Sequence, residues 1–180
     1  MNEALAWIGQ IADWIGKFVP RWKIVAEWEL GLKLPRGRNP QICTPGIWWY
    51  WPASTVWVIH PTKRQGVNLK SQTITTADGK AIIAGGLIVF EVADVVKLVV
   101  DTYMPDETVK EISLTAVHDV CCLLTWEQLQ QEQRSGELDK KLKVAATGEL
   151  RRYGVRVLKM TLTDLALTRV IKIVQSTSQD

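Results

Sequence analysis

Residues 72–92 read QTITTADGKAIIAGGLIVFEV. A short β-branched run at Gln72–Thr76 meets an Asp78-Gly79 pair, the dipeptide most at home in a tight hairpin turn. A long apolar stretch, Lys80–Val92, then follows as a buried strand. Gly85-Gly86 within it marks a bulge or a place where another backbone comes close. The pair is not a phosphate loop, because no Lys-Ser/Thr and no helix start follow it.

Downstream of Asp94 the period changes to that of helices. Thr108-x-x-Glu111 has the form of a capping box, with Val109, Ile112, Val117, Val120 and Leu124 near helical spacing behind it. Thr125-Trp126-Glu127-Gln128 is a second such box, opening a short helix around Leu129. A third helix is predicted over Gly136–Tyr153, with Leu138, Leu142, Ala145, Ala146 and Leu150 inward and Gly154 as its C-terminal glycine. Val155–Leu167 alternates again, Val155 and Val157 against Arg156, Leu158 and Lys159, then Met160 and Leu162 against Thr161 and Thr163, and is a closing strand. Upstream, Ile24–Leu34 and Thr55–Ile59 read as strands, separated by turns at Pro35-Arg36-Gly37-Arg38 and Pro45-Gly46. Strands first, helices next and one last strand make an α+β order. The polar or basic stretches Lys63–Lys70, Glu137–Lys143 and Arg151–Arg156 are read as solvated faces.

The chain has 180 residues, 47% hydrophobic and 23% charged, and a net charge of +3. That suits one or two small cores and excludes a disordered tail or a polytopic membrane protein. Cys43, Cys121 and Cys122 are odd in number and lack a CxxC spacing, so reduced thiols in a cytosol-like compartment are expected. Tryptophan is the outlier: of nine, all but Trp126 precede residue 58.

Residues 4–19, ALAWIGQIADWIGKFV, place Ala4, Leu5, Ile8, Ile11, Ile15, Phe18 and Val19 at helical spacing, flanked by Trp7 and Trp14 and ended by Pro20. Glu3, Asp13 and Lys17 make it neither a secretory signal nor a spanning helix. Three fates are open to such an amphipathic helix: docking on the chain's own core, packing on a partner, or lying in a membrane interface, where indoles are favoured. The paired tryptophans beside an Ile/Phe face point to the membrane. A second aromatic block, GIWWYWP at Gly46–Pro52, sits in a stretch free of Asp, Glu, Lys and Arg from Asn39 to Thr62. Its prolines forbid a spanning helix. Strand alternation would turn half of Trp48, Trp49, Tyr50 and Trp51 inward and expose the rest as a binding patch. The half of the chain through Val92 carries ten Lys/Arg against six Asp/Glu, as an anionic membrane surface favours.

Signs of catalysis are few. His118 and Cys122 lie four apart on a predicted helix, but two ligands do not make a zinc site. Cys121 and Cys122 read as core thiols with no activating base near them. Asp94, Asp101, Asp106 and Asp164 show no pairing. No hydrolase, metalloprotease, Walker or Rossmann motif is present, and the basic stretches lack the interleaved aromatics that RNA recognition uses. Neither enzyme chemistry, a cofactor nor a nucleic-acid partner is expected.

The order of these motifs resembles the stomatin–prohibitin–flotillin (SPFH, or prohibitin-homology) domain over roughly residues 23–174. Glu29-Leu30-Gly31, Arg36-Gly37-Arg38 and Pro45-Gly46-Ile47-Trp48-Trp49-Tyr50-Trp51-Pro52 are similar to the family's opening strand, glycine turn and Pro-Gly-hydrophobic-Pro segment. Thr76-Ala77-Asp78-Gly79 resembles its Thr-x-Asp turn, and Val89–Asp94 its strand-to-helix exit. Thr125–Leu129 resembles its Thr-x-x-Glu-Leu helix start, and Tyr153–Val157 the entry to its last strand. The segments expected are a membrane-anchor helix at 1–22, a strand-rich part at 23–92, an α/β part at 93–174 and a polar tail at 175–180. Members usually carry a long hydrophobic anchor, in whose place stands the amphipathic segment, and continue into a coiled coil, whereas this sequence runs to Asp180 in a polar tail.

The resemblance implies a membrane-bound homo-oligomer, rings included, that corrals lipid and membrane-protein clients. Without the coiled coil, a flat ring or lateral packing through the domain is expected rather than a tall cage. The expected role is a peripheral or monotopic membrane scaffold held in one leaflet, with its domain in a reducing, cytoplasmic compartment. The membrane-binding residues expected are Leu5, Trp7, Ile8, Ile11, Trp14, Ile15, Phe18, Trp48, Trp49 and Trp51. The alternatives are a soluble adaptor that presents the aromatics to a protein, or a regulator of a membrane protease or channel.

Overall fold

The computed structural model describes residues 19–168 together with Gly16. The helix expected over residues 4–19 therefore lies almost wholly outside the described residues. The chain forms two compact units that interleave in sequence. Of the described residues, one takes those up to 64, 91–105 and 153–155; the other takes 65–90, 106–152 and 156–168. The Asp-Gly hairpin is grouped with the helices.

The first unit is built from β1 (Arg21–Val25), β2 (Glu29–Pro35), β3 (Gln41–Cys43), β4 (Gly46–Tyr50), β5 (Thr55–Pro61) and the short helix α1 (Val95–Val100). β1 and β4 pair as an antiparallel two-stranded ribbon, and β2 is the centre of a β3-β2-β5 sheet. Gly31 is placed where no side chain fits. A Cβ there would lie 2.8 Å from the Trp57 ring and 3.1 Å from Val25. The helix α1 was not legible from periodicity, since six residues give under two turns. It exists because Asp94 caps it, its carboxylate accepting from the N–H groups of Val96 and Lys97 at 3.1 and 3.2 Å. Gly154, at φ 74°, fits against this cap. Its carbonyl accepts from the N–H groups of Ala93 and Asp94, and a Cβ would stand 2.5 Å from the Asp94 carbonyl oxygen.

The second unit packs α2 (Pro105–Cys122), α3 (Trp126–Ser135) and α4 (Glu137–Leu150) with a sheet ordered β6-β7-β8, from β6 (Gln65–Thr75), β7 (Ala81–Val92) and β8 (Val155–Leu167). The Asp78-Gly79 hairpin forms as read: Gly79 is at φ 74°, and the Thr76 and Lys80 ends close with an N–H to O bond of 2.9 Å. β6 begins well before Gln72, because Val67 and Leu69 alternate with Gly66, Asn68 and Lys70. The stretch Lys63–Lys70 is thus half a strand rather than only a solvated face. The irregularity expected at Gly85-Gly86 falls opposite them, in β6 between Leu69 and Gln72. The glycines themselves mark a close approach. A Cβ on Gly85 would meet Ser71 and Asp164, and one on Gly86 would lie 2.8 Å from the Thr161 carbonyl oxygen.

α2 starts at Pro105, not at the Thr108 box. Proline has no N–H to satisfy at a first helical position, and Asp106 and Glu107 follow in the first turn where the helix dipole favours them. The Thr125 box does form, Thr125 Oγ1 accepting from Gln128 N–H while Gln128 Oε1 accepts from Thr125 N–H. α4 stops at Leu150, and a 3₁₀ turn carries the chain through Tyr153. Leu138, Leu142, Ala146 and Leu150 are wholly buried; Ala145 is only half-buried. In β8 the buried set steps from Val155 and Val157 to Met160 and Leu162, as the sequence pattern has it.

Candidate functional site

In the β1–β4 ribbon, side chains alternate sides, so residues two apart share a face. The register places Trp22 opposite Trp49 and Ile24 opposite Ile47. All four are exposed: Trp22 is 66% exposed, Ile24 66%, Ile47 68% and Trp49 58%. The two indoles meet edge to face with ring centroids 5.5 Å apart, an arrangement favoured by the ring quadrupoles. Trp51, also more than half exposed, follows Trp49 with the same parity. Large apolar residues in matched pairs across a two-stranded ribbon have a mechanical benefit, since cross-strand pairs hold register. Yet among the described residues they stand more than half exposed. An exposed contiguous apolar face of this kind marks an interaction surface.

The opposite face of the ribbon behaves differently. Trp48 is half-buried and its Nε1–H donates to the Thr44 carbonyl at 2.8 Å. Tyr50 is half-buried against Trp57, edge to face at 5.7 Å. Trp48 is therefore removed from the outward aromatic set by strand parity, while Trp49 and Trp51 remain in it. Three members escaped the sequence reading: Trp22, Ile24 and Ile47. The signal for the first two was available in the alternation of Arg21-Trp22-Lys23-Ile24-Val25, which puts Trp22 and Ile24 on the side opposite Lys23 and Val25, and that for Ile47 in its sharing the parity of Trp49. Leu5, Trp7, Ile8, Ile11, Trp14, Ile15 and Phe18 lie outside the described residues.

The segment that carries the apolar face is rich in cations. Between residues 19 and 64 the chain carries seven Lys/Arg and two Asp/Glu. Lys33 donates from Nζ to the Trp49 carbonyl at 3.2 Å. Lys63 sits 5.4 Å from the centroid of the exposed Trp28 ring, a cation–π contact.

Chemistry-bearing groups elsewhere are dispersed. Among the described residues no three of His, Cys, Asp and Glu come together as a metal set. His60 is buried and His118 is exposed. The three thiols are unbridged. Burial pushes the Cys121 thiol up to about 11, with the neighbouring Cys122 adding to the shift, so it is a core thiol. Cys122, expected in the core too, is half exposed beside His118 because it faces the outer side of α2. No helix among the described residues is long and apolar enough to cross a membrane.

Comparison with known protein families matches residues 23–178 to the SPFH domain / Band 7 family. The chain belongs to this family. The match spans most of the sequence and agrees with the order of strands, helices and closing strand. SPFH domains are generally parts of membrane-associated, non-enzymatic scaffolds. No curated protein matches the chain in a sequence comparison. The exposed ribbon is thus a feature of an SPFH domain.

Proposed function

We propose that this protein is a peripheral membrane scaffold that rests on one leaflet through the outward face of the β1–β4 ribbon and the amphipathic segment before it. Copies of the domain associate side by side, and the assembly organises a membrane microdomain or sequesters membrane proteins. It performs no catalysis itself, and its domain works in a reducing, cytoplasmic compartment. The observation that carries the reading is the outward set Trp22, Ile24, Ile47 and Trp49. Indole and branched aliphatic side chains left uncovered on one face are suited to the headgroup–acyl boundary, where a tryptophan ring is buried and its N–H stays hydrated. The excess of Lys/Arg over residues 19–64 adds attraction to anionic lipid, about 1 kcal/mol for each cation close to the surface. Many such modest contacts in one assembly combine into avidity far above that of one copy.

Co-sedimentation of the full chain with anionic unilamellar vesicles tests this. The wild-type protein is expected in the pellet. Replacing Trp7, Trp14 and Phe18 by Ser is expected to shift it towards the supernatant. A wild-type protein that stays in the supernatant, while forming a stable complex with a protein partner, overturns the membrane reading in favour of a soluble adaptor.

A further inference from the structure

Where α2 ends, the second unit leaves an apolar groove of about 520 Å³ beside α4. Val120, Leu123 and Leu124 come from the end of α2 and the turn after it, and Val144 and Ala145 from α4. Leu123 is 79% exposed and Val144 72%. Two aliphatic side chains thus stand in solvent on one patch, the mark of a surface that takes a neighbour. Lys140 and Lys141 also line the groove, but Lys140 Nζ is held by Glu137 at 2.7 Å and Lys141 Nζ by Glu132 at 2.6 Å. The groove therefore offers hydrocarbon, and it suits an aliphatic occupant better than an acidic one.

Such an occupant starts close by. β8 ends at Leu167, and the Thr168 N–H donates to the Ala81 carbonyl at 2.9 Å. Ala81 pairs with Thr75 across the hairpin, and two residues past Thr75 the Ala77 N–H donates to the Leu124 carbonyl at 3.1 Å. At a strand spacing of about 4.8 Å and a rise of about 3.3 Å per residue, Thr168 lies roughly 15 Å from Leu124. The sequence continues Arg169-Val170-Ile171-Lys172-Ile173-Val174, four of the six aliphatic. An extended chain covers roughly 15 Å in five residues, so the aliphatic run falls at the right distance from Thr168. The family match continues through residue 178, which counts this run as part of the domain.

We propose that Val170, Ile171, Ile173 and Val174 seat in this groove of their own chain and cover Leu123 and Val144. The tether makes the contact intramolecular, and a short link sets an effective concentration in the millimolar range. A segment whose free peptide binds at about 0.1 mM is then docked roughly ten parts to one. The seated run sets the direction in which residues 175–180 leave the domain. The contact does not depend on the membrane reading.

Photocrosslinking of the full chain in lipid-free buffer tests this, with Lys172→p-benzoylphenylalanine as the probe, since Lys172 is not among the seated residues. Adducts are expected on the 120–124 and 140–145 stretches by peptide mass mapping. In a mixture of isotopically light and heavy chains, they are expected within single chains only. Hydrogen exchange gives a second measure. Amides of residues 170–174 should exchange about tenfold more slowly in wild type than in Leu123→Lys/Val144→Lys. Both replaced side chains are exposed, so far-UV circular dichroism of that variant is expected to match wild type. Absence of groove adducts, or equal exchange in the two proteins, overturns the docking. Groove adducts that join light to heavy chains overturn docking within one chain and assign the groove to a second copy.

Discussion

Removing the indoles of the ribbon should release the protein from membranes by an amount that the structure sets. An aromatic side chain presents ~150–250 Å² in full. With Trp22 66% and Trp49 58% exposed, roughly 100–150 Å² of each is still to be covered, worth about 2.5–4 kcal/mol per ring at ~25 cal/mol/Å². Seating at an interface takes about half of that, so the pair contributes about 3 kcal/mol, or roughly 100-fold in partition at 1.4 kcal/mol per factor of ten. The double variant Trp22→Thr/Trp49→Thr keeps strand propensity and loses the edge-to-face contact, about 0.5–1.5 kcal/mol of ribbon stability. The assay is partition between buffer and vesicles of mixed zwitterionic and anionic lipid, measured below the concentration at which copies associate. Near-wild-type thermal unfolding establishes that the domain is intact. A folded double variant that partitions within about threefold of wild type refutes the argument. Trp48→Thr, on the ribbon's other face, should change partition by far less.

Acid should weaken the β6–β7 turn through Asp78. Its carboxyl is lowered from 3.8 to about 2, chiefly by the hydroxyl of Thr76, then by Lys80 at 2.9 Å and by the Trp126 N–H. A carboxyl lowered in the folded state gives stability that is complete above its unfolded value and lost as pH falls towards 2. Thermal unfolding followed from pH 5 to pH 2 should therefore show a shallower acid decline for Asp78→Asn than for wild type. Gly154→Ala combines a left-handed backbone with a Cβ placed 2.5 Å from the Asp94 carbonyl oxygen. It should cost about 2–4 kcal/mol, read as a reduced urea midpoint. Leu142→Ala should cost about 2–5 kcal/mol by the same measurement, since the side chain is fully buried in the helical layer. Iodoacetamide at mild alkaline pH should modify Cys122 well before Cys121, whose thiol is held to about 11 by burial, as peptide mass mapping would show.

The legible parts of the fold were those fixed by local chemistry. Asp78-Gly79 forms its turn because glycine takes the positive φ at low cost, and Thr125 with Gln128 closes its box within four residues. The phase step in β8 between Val157 and Met160 was visible because alternation is a property of neighbours. What escaped depends on partners far along the chain. Thr108 has the right residue for a cap, but Pro105 is already in place three residues earlier. The short helix at Val95–Val100 owes its cap to Asp94, whose backbone is bonded to Gly154, sixty residues away. The site was half legible for the same reason. Alternation predicted that the Trp48–Trp51 block would split, and it does; that Trp22 and Ile24 stand opposite Trp49 and Ile47 needed the register of a strand more than twenty residues distant.

The interleaving of the two units constrains any attempt to divide this protein. The backbone passes from one to the other at residues 64/65, 90/91, 105/106, 152/153 and 155/156. β7 and β8 each run through such a passage without a break in their strand. Neither half can be cut out as one continuous stretch, so a shortened fragment ending near residue 64 or 92 would lack strands or helix caps that return later in the sequence. Gene fusion, domain exchange and fragment expression all have to treat residues 21–167 as a single indivisible length.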